Sequence, residues 1–181
     1  VFYNYEYDFY NSHLMSEFKD YVNHYSRLSS RPFEFMDIQM SYAWGKDIAY
    51  REAIPKLGIR SNLDFKMSVN INNNLRVTPS INFEKLKKID SNEYFFDGYI
   101  SRLDLRYQFN TALNFRVISE YNEFTDKFFV QPLISWRPNP DTIFYFGGNQ
   151  NYVDEFIDYN SPNYMVNKTQ LFLKFQYLIK S

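Results

Sequence analysis

The sequence predicts an all-β protein, a transmembrane antiparallel up-and-down β-barrel with about ten strands visible, forming the C-terminal portion of a larger barrel. Three observations point there. Aromatic residues make up 21% of the 181 positions, with 17 Tyr and 19 Phe. Mean hydropathy is nonetheless polar, at −0.51. Apolar and polar residues alternate with a period of two over long segments.

Rings in such number are hard to place in a water-soluble domain, where large exposed aromatics promote association. A barrel in lipid has a second apolar surface to cover and borders it with aromatic girdles. A polar mean hydropathy is incompatible with a helical membrane protein. It suits a barrel, in which every second residue faces a polar lumen. No apolar run approaches the roughly 18 residues of a spanning helix.

The alternation is clearest over 57–71. Leu57, Ile59, Leu63, Phe65, Met67, Val69 and Ile71 share one face, and Arg60, Asn62, Asp64, Lys66, Ser68 and Asn70 share the other. Asn72, Asn73 and Asn74 then suit a tight hairpin. The pattern resumes with Leu75, Val77, Ile81 and Phe83 opposed by Arg76, Thr78, Ser80, Asn82 and Glu84. A second pair repeats it: Leu103, Leu105, Tyr107 and Phe109 against Arg102, Asp104, Arg106 and Gln108, a turn at 110–112, then Leu113, Phe115, Val117 and Tyr121 against Asn114, Arg116, Glu120 and Asn122. A third hairpin turns at 137–141 after Phe128, Val130, Ile134 and Trp136. A last strand shares Leu171, Leu173, Phe175, Tyr177 and Ile179 on one face. The N-terminal third reads as strands near 1–10, 17–28 and 33–44.

Several of these segments sustain the pattern for about 11–15 residues, where soluble strands average about 5–6 and a tilted spanning strand needs about 9–11. Connections alternate in length as well. Those at 72–74, 110–112 and 137–141 are short; those at 45–56, 89–93 and 151–168 are longer or more polar, the asymmetry of bacterial barrels. Rings fall where the two interfaces would be: Tyr107, Phe109, Trp136 and Tyr177 near the inner strand ends, Tyr42, Trp44 and Tyr121 near the outer. A soluble β-sandwich or lipocalin-like barrel alternates too, and strand length, loop asymmetry and ring placement together argue against it. Pro79 and Pro132 oppose the barrel, since a closed sheet has no free edge to excuse a missing N–H. Bulges or shortened pairing are expected there.

Charge and composition exclude several functions. With 20 Lys+Arg against 21 Asp+Glu, no basic excess exists to neutralise phosphates, so nucleic acid is not an expected partner. The absence of Cys excludes thiolate metal sites, a Cys nucleophile and disulfides. No cofactor is implied. The expected location is the outer membrane of a Gram-negative bacterium, with membrane lipid as partner and other outer-membrane proteins or a glycan as further candidates. Export requires a signal peptide, so an upstream portion is expected before Val1.

The stretch DGYISRLDLRYQFNTALNFRVISEYNEFTDKFFVQPLISWRPNPDTIFYFGGNQNY, followed after a loop by TQLFLKFQYLIKS, resembles a family of outer-membrane proteins common in Bacteroidota. The features that carry the likeness are the RLDLRYQF strand, the YNEFTDKF hairpin, the strand ending SWRPNPDT and the aromatic terminal strand. The likeness covers Asp97 to the end, and more loosely 48–87, where INNNLRVTPS is similar to family sequence. It implies a C-terminal barrel preceded by a carbohydrate-binding-like β-sandwich, and it supplies no catalytic residues. The chain departs from the common terminal pattern by ending on Lys180 and Ser181 rather than on an aromatic.

Candidate chemistry is sparse. Arg60, Asp64, Lys66, Arg76, Glu84, Arg102, Asp104, Arg106, Arg116, Glu120 and Lys174 are expected to face the lumen. They suit a selectivity lining, or, with both signs interspersed, a lumen closed by interlocking ion pairs. The latter fits the mixed signs better. His13 and His24 are candidate general bases for a barrel-embedded hydrolase, but no GxSxG or HExxH accompanies them. Tyr152, Asp154, Glu155, Asp158 and Tyr159 in the last loop could hold a sugar face or a Ca²⁺, without the spacing of a known calcium loop. The expected role is a membrane anchor or narrow pore; the alternatives are the hydrolase and a soluble β-rich binding domain.

Overall fold

Period-two alternation needs long extended segments, and the chain supplies them. The computed structural model describes residues 7–11, 14–18, 22–154 and 164–179, with side chains over 22–152 and 166–179. Its strands are β1 (Tyr7–Asn11), β2 (Leu14–Phe18), β3 (Asn23–Phe33), β4 (Met36–Ala49), β5 (Lys56–Asn70), β6 (Leu75–Lys88), β7 (Tyr94–Gln108), β8 (Leu113–Asn122), β9 (Lys127–Asn139), β10 (Thr142–Asp154) and β11 (Tyr164–Tyr177). Among the described residues the sole helical element is a short 3-10 turn, Glu123–Thr125, closed by Asp126 in the left-handed region at φ 48.

β3 to β11 form one nine-stranded sheet in which each strand neighbours the next in sequence, an antiparallel up-and-down meander. β1 and β2 pair as a separate hairpin, with Tyr7 opposite Phe18. Among the described residues β3 and β11 are the two ends of the larger sheet and do not pair with each other. Local turn chemistry sets the hairpins. The Asn72 side-chain oxygen accepts from the backbone N–H groups of Asn74 and Leu75, both at 2.8 Å. Asn110 does the same for Ala112 and Leu113, at 2.8 and 2.9 Å. These are Asx-turns, the reason Asn recurs at strand junctions.

The described residues hold eleven strands, in line with the about ten expected, and the strand bounds differ in the N-terminal third. The strand expected over 17–28 is divided between β2 and β3, and that over 33–44 becomes β4, starting at Met36 and running on to Ala49. Residues 1–6 of the first expected strand lie outside the described residues. The turn between β3 and β4 is Glu34-Phe35, which carries none of the Gly, Asn or Asp that mark tight hairpins, so nothing in the sequence announces it. Gly45 reads as a strand terminator yet sits inside β4. Its φ is +148, and a Cβ there would collide with the Val22 carbonyl oxygen and lie 2.8 Å from the Asn23 Cα, so it marks a close approach of the chain entering β3, not an end.

Both prolines lie within continuous strands. Pro132 is opposite Val117 on β8, while the β9–β10 ladder skips from Leu133–Gly147 to Val130–Gln150. The missing N–H therefore coincides with a gap in pairing, the shortened pairing that the sequence calls for.

Two compact units organise the contacts. One comprises Val1–Ser29, Gln39–Phe65 and Asn82–Tyr99; the other comprises Ser30–Ile38, Lys66–Ile81 and Ile100–Ser181. In the first, Ile48, Ala49 and Leu86 are buried, and Leu86 packs over Gly58, where a Cβ would come within 2.8 Å of it. In the second, Ile118 and Thr142 are buried, and the Phe172 ring covers Gly147, whose absent Cβ would lie 2.7 Å from it. Removal of the Cβ is what lets a large ring lie flat on the sheet.

Candidate functional site

In the second unit the registers align rings into two rows on one face. Tyr121 is opposite Phe128, and Phe128 opposite Tyr152, with the latter ring centroids 5.8 Å apart. Towards the other end of the same strands Leu113, Trp136, Phe144 and Phe175 stand in line. Trp136 stacks on Phe144 at 5.4 Å, and Phe144 meets Phe175 at 5.1 Å. Between the rows lie Phe115, Ile134, Phe146 and Leu173, again in register, with Val117 opposite Pro132. Between the two ring rows this face is mainly apolar, with Ser119 and Gln150 flanking Val130.

This face is exposed. On β7, β9 and β10, strands with neighbours on both sides, relative exposure is 41% at Leu103, 40% at Ile134, 47% at Trp136 and 53% at Phe146. A water-soluble sheet buries such positions against another layer. Here the apolar side chains project away from the chain's own packing.

The opposite face holds the charges, and it pairs them. Arg102 is in register with Glu120, at 3.5 Å. Asp104 receives the Arg116 guanidinium at 2.7 Å and that of Arg106 at 3.1 Å. Ser68 and Thr78 share a hydroxyl hydrogen bond of 3.1 Å. In the first unit Arg60 bridges Glu84 at 2.9 Å and Asp47 at 3.2 Å. Asp64 accepts from the Asn82 amide at 2.6 Å and the Ser41 hydroxyl at 3.5 Å. Lys174 lies 5.9 Å from the centre of the Tyr145 ring. Lys66 and Arg76 are exposed. Each half-desolvated charge thus meets an opposite one, the arrangement that makes its removal from bulk water tolerable.

The first unit shows where an apolar series stops. On β6 and β7 the Phe83 and Tyr99 rings lie 5.6 Å apart. Two positions on along each strand, and so on the same face, Lys85 and Asp97 form an ion pair of 3.0 Å. Beyond it Lys88 donates to Glu93 at 2.6 Å across the 89–93 connection, and that hydrogen bond holds the Glu93 carboxyl below the usual glutamate range.

The other expected rings take varied places. Tyr42 lies midway along β4, stacked on Trp44 at 5.2 Å with its hydroxyl 2.9 Å from that of Ser61. Trp44 also stacks on His24 at 5.2 Å. Tyr107 meets Phe109 edge-on at 4.7 Å, and the Tyr121 hydroxyl donates to Asp126 at 3.5 Å. Tyr177 is opposite Thr142. Of the proposed loop ligands, Tyr152 belongs to the ring row and Asp154 closes β10 opposite Tyr164. Glu155, Asp158, Tyr159 and His13 lie outside the described residues. Among the described residues no group of three or more His, Asp or Glu could hold a metal ion.

Asp47 and Ser41 join the charged face as partners that alternation alone does not single out, and so does the Lys85–Asp97 pair. Lys85 and Lys87, where charge enters the apolar register of β6, were the legible signal for the last of these.

No family model matches the chain, and no curated protein matches it. Among solved structures it is similar to the NanC porin, at 10% identity and a TM-score of 0.37, covering 88% of this chain and 94% of that one.

Proposed function

We propose that this chain is a wall of a transmembrane β-barrel in the bacterial outer membrane, serving as a membrane anchor or narrow pore. One observation carries the reading: hydrocarbon side chains are exposed on strands flanked by neighbours, while the charges on the other face are paired. Such a polarity suits acyl chains on one side and a wet lumen on the other. Its dimensions agree. From Phe128 to Trp136 the strand advances about 27 Å, at about 3.4 Å per residue. Tilted by about 40° and widened by the rings themselves, that interval approaches the roughly 25 Å height of a lipid-facing band bordered by aromatics.

The paired charges favour a narrow or plugged passage over a wide one, because each pair fills lumen and cancels selectivity. The resemblance of 97–181 to outer-membrane proteins of Bacteroidota supports a place in a larger assembly that handles glycans or exported proteins. The test is refolding into phosphatidylcholine vesicles followed by electrophoresis without boiling. A compact, heat-modifiable band that resists added protease is expected; migration independent of heating, with complete digestion, would refute the barrel. Planar-bilayer recording then separates pore from anchor by the presence or absence of single-channel steps.

A further inference from the structure

At the end of the second unit where the Asn72–Asn74 turn lies, a cavity of about 770 Å³ opens on the polar face. Three guanidinium groups line it, from Arg76, Arg106 and Arg116. Arg106 and Arg116 are directly opposite in the β7–β8 register. Like charges so placed destabilise a sheet unless something of opposite sign lies between them. Asp104 supplies one such charge, ion-paired to both. One carboxylate with two oxygens cannot saturate two guanidiniums, each with five N–H donors. Among the described residues the Arg76 side chain makes no hydrogen bond or ion pair. The acidic group on the lining itself is Glu34, at the β3–β4 turn. Three cations on the cavity wall are therefore set against Glu34 on the lining and Asp104 behind Arg106 and Arg116, leaving positive charge unanswered. Amide side chains of Asn70, Asn114 and Gln108 complete a wall rich in N–H donors.

We infer that this cavity is a binding site for a small soluble oxyanion of the phosphate or carboxylate class, held by Arg76, Arg106 and Arg116. Planar guanidiniums present paired N–H groups that match two oxygens of such an anion, which a single ammonium cannot do. The volume suits a small solute and falls within the usual range of ligand pockets. The inference goes beyond the membrane reading and rests on the geometry of the second unit alone.

The probe is inorganic phosphate, titrated calorimetrically at constant ionic strength into the full chain folded in detergent micelles. Saturable one-to-one binding is expected. Arg76→Gln should weaken it roughly tenfold, since it removes one bidentate charge-assisted contact. Arg76→Lys should recover part of the loss, and Arg60→Gln, whose guanidinium is occupied by Glu84 and Asp47, should leave binding unchanged. Heat-modifiable migration of each variant shows that it is folded, so a loss of binding is separable from a failure of the barrel itself. Moving the protein to vesicles with phosphatidylglycerol in place of phosphatidylcholine should not alter phosphate affinity. Competition by that lipid would assign the arginines to a headgroup and overturn a soluble ligand. A response that does not saturate, or is the same in Arg76→Gln, would overturn the site altogether.

Discussion

Trp136 and Phe144 face each other across β9 and β10 with their rings stacked at 5.4 Å, and Phe128 and Tyr152 repeat the pairing further along the same two strands. Rings at both limits of one hydrocarbon face fix where the two interfaces of a bilayer would fall. With two Trp in the chain, Trp44→Phe isolates Trp136 as a fluorophore. In vesicles its emission should be quenched most by lipids brominated near the headgroup and less by those brominated at the chain end. Equal quenching at all depths would remove Trp136 from the interface.

Ile134 and Phe146 are in register between the ring rows, one pair in from Trp136 and Phe144, and are both exposed. Ile134→Arg should lower the folding free energy in vesicles by about 1–3 kcal/mol, between the cost of a cation at the bilayer midplane and that near an interface. On a water-facing surface the same change falls within about 0.5 kcal/mol. Equilibrium unfolding in denaturant, in the presence of lipid, distinguishes the two outcomes.

Asp104 lies between two guanidiniums, and Glu84 faces one that also has Asp47. Asp104→Asn leaves Arg106 and Arg116 opposite each other without a counter-charge and should cost about 2–3 kcal/mol. Glu84→Gln leaves Arg60 with Asp47 and should cost about 1 kcal/mol or less. Reversal of that order in denaturant unfolding would contradict the pairing described.

Gly147 lies beneath the Phe172 ring, with the Pro132 carbonyl oxygen 3.0 Å from where a Cβ would be. Gly147→Val should destabilise the sheet by about 1–3 kcal/mol through overpacking. Phe172→Ala in the same chain should recover part of that loss, because one of the two obstructions is removed. The double-mutant cycle measures the coupling directly.

Glu93 is held below the usual glutamate range by the hydrogen bond from Lys88 and by the charge of Lys88. A carboxyl whose folded-state pKa is depressed contributes stability that is fully present above its unfolded value. That contribution is lost as pH falls through the depressed folded value. An NMR titration of the Glu93 side chain should therefore have its midpoint below that of a free glutamate. Lys88→Gln should return it to the ordinary range.

Much of the sheet was legible because one-sided solvation enforces period two over whole strands: from 57 to 122 every apolar series named from the sequence lies within β5 to β8 or their turns. The turns marked by Asn72 and Asn110 were legible because their side chains make the turn. The N-terminal third was not. Glu34-Phe35 turns without turn residues, and Gly45 answers to the backbone of β3, a neighbour invisible to local reading. The charged positions were legible as a set, but their pairing was not. Arg60 finds Asp47 and Glu84 on separate strands, and only the register brings those residues together.

The proposal that acyl chains solvate alternate positions is tested most directly by spin-label accessibility along β9. The chain has no Cys, so single Cys substitutions from Phe128 to Trp136 can each carry a nitroxide. In vesicles, collisions with dissolved oxygen should peak at Val130, Pro132 and Ile134, and collisions with a water-soluble nickel chelate at Phe129, Gln131, Leu133 and Ser135. Nickel accessibility at Ile134 equal to or greater than that at Ser135 would contradict the account.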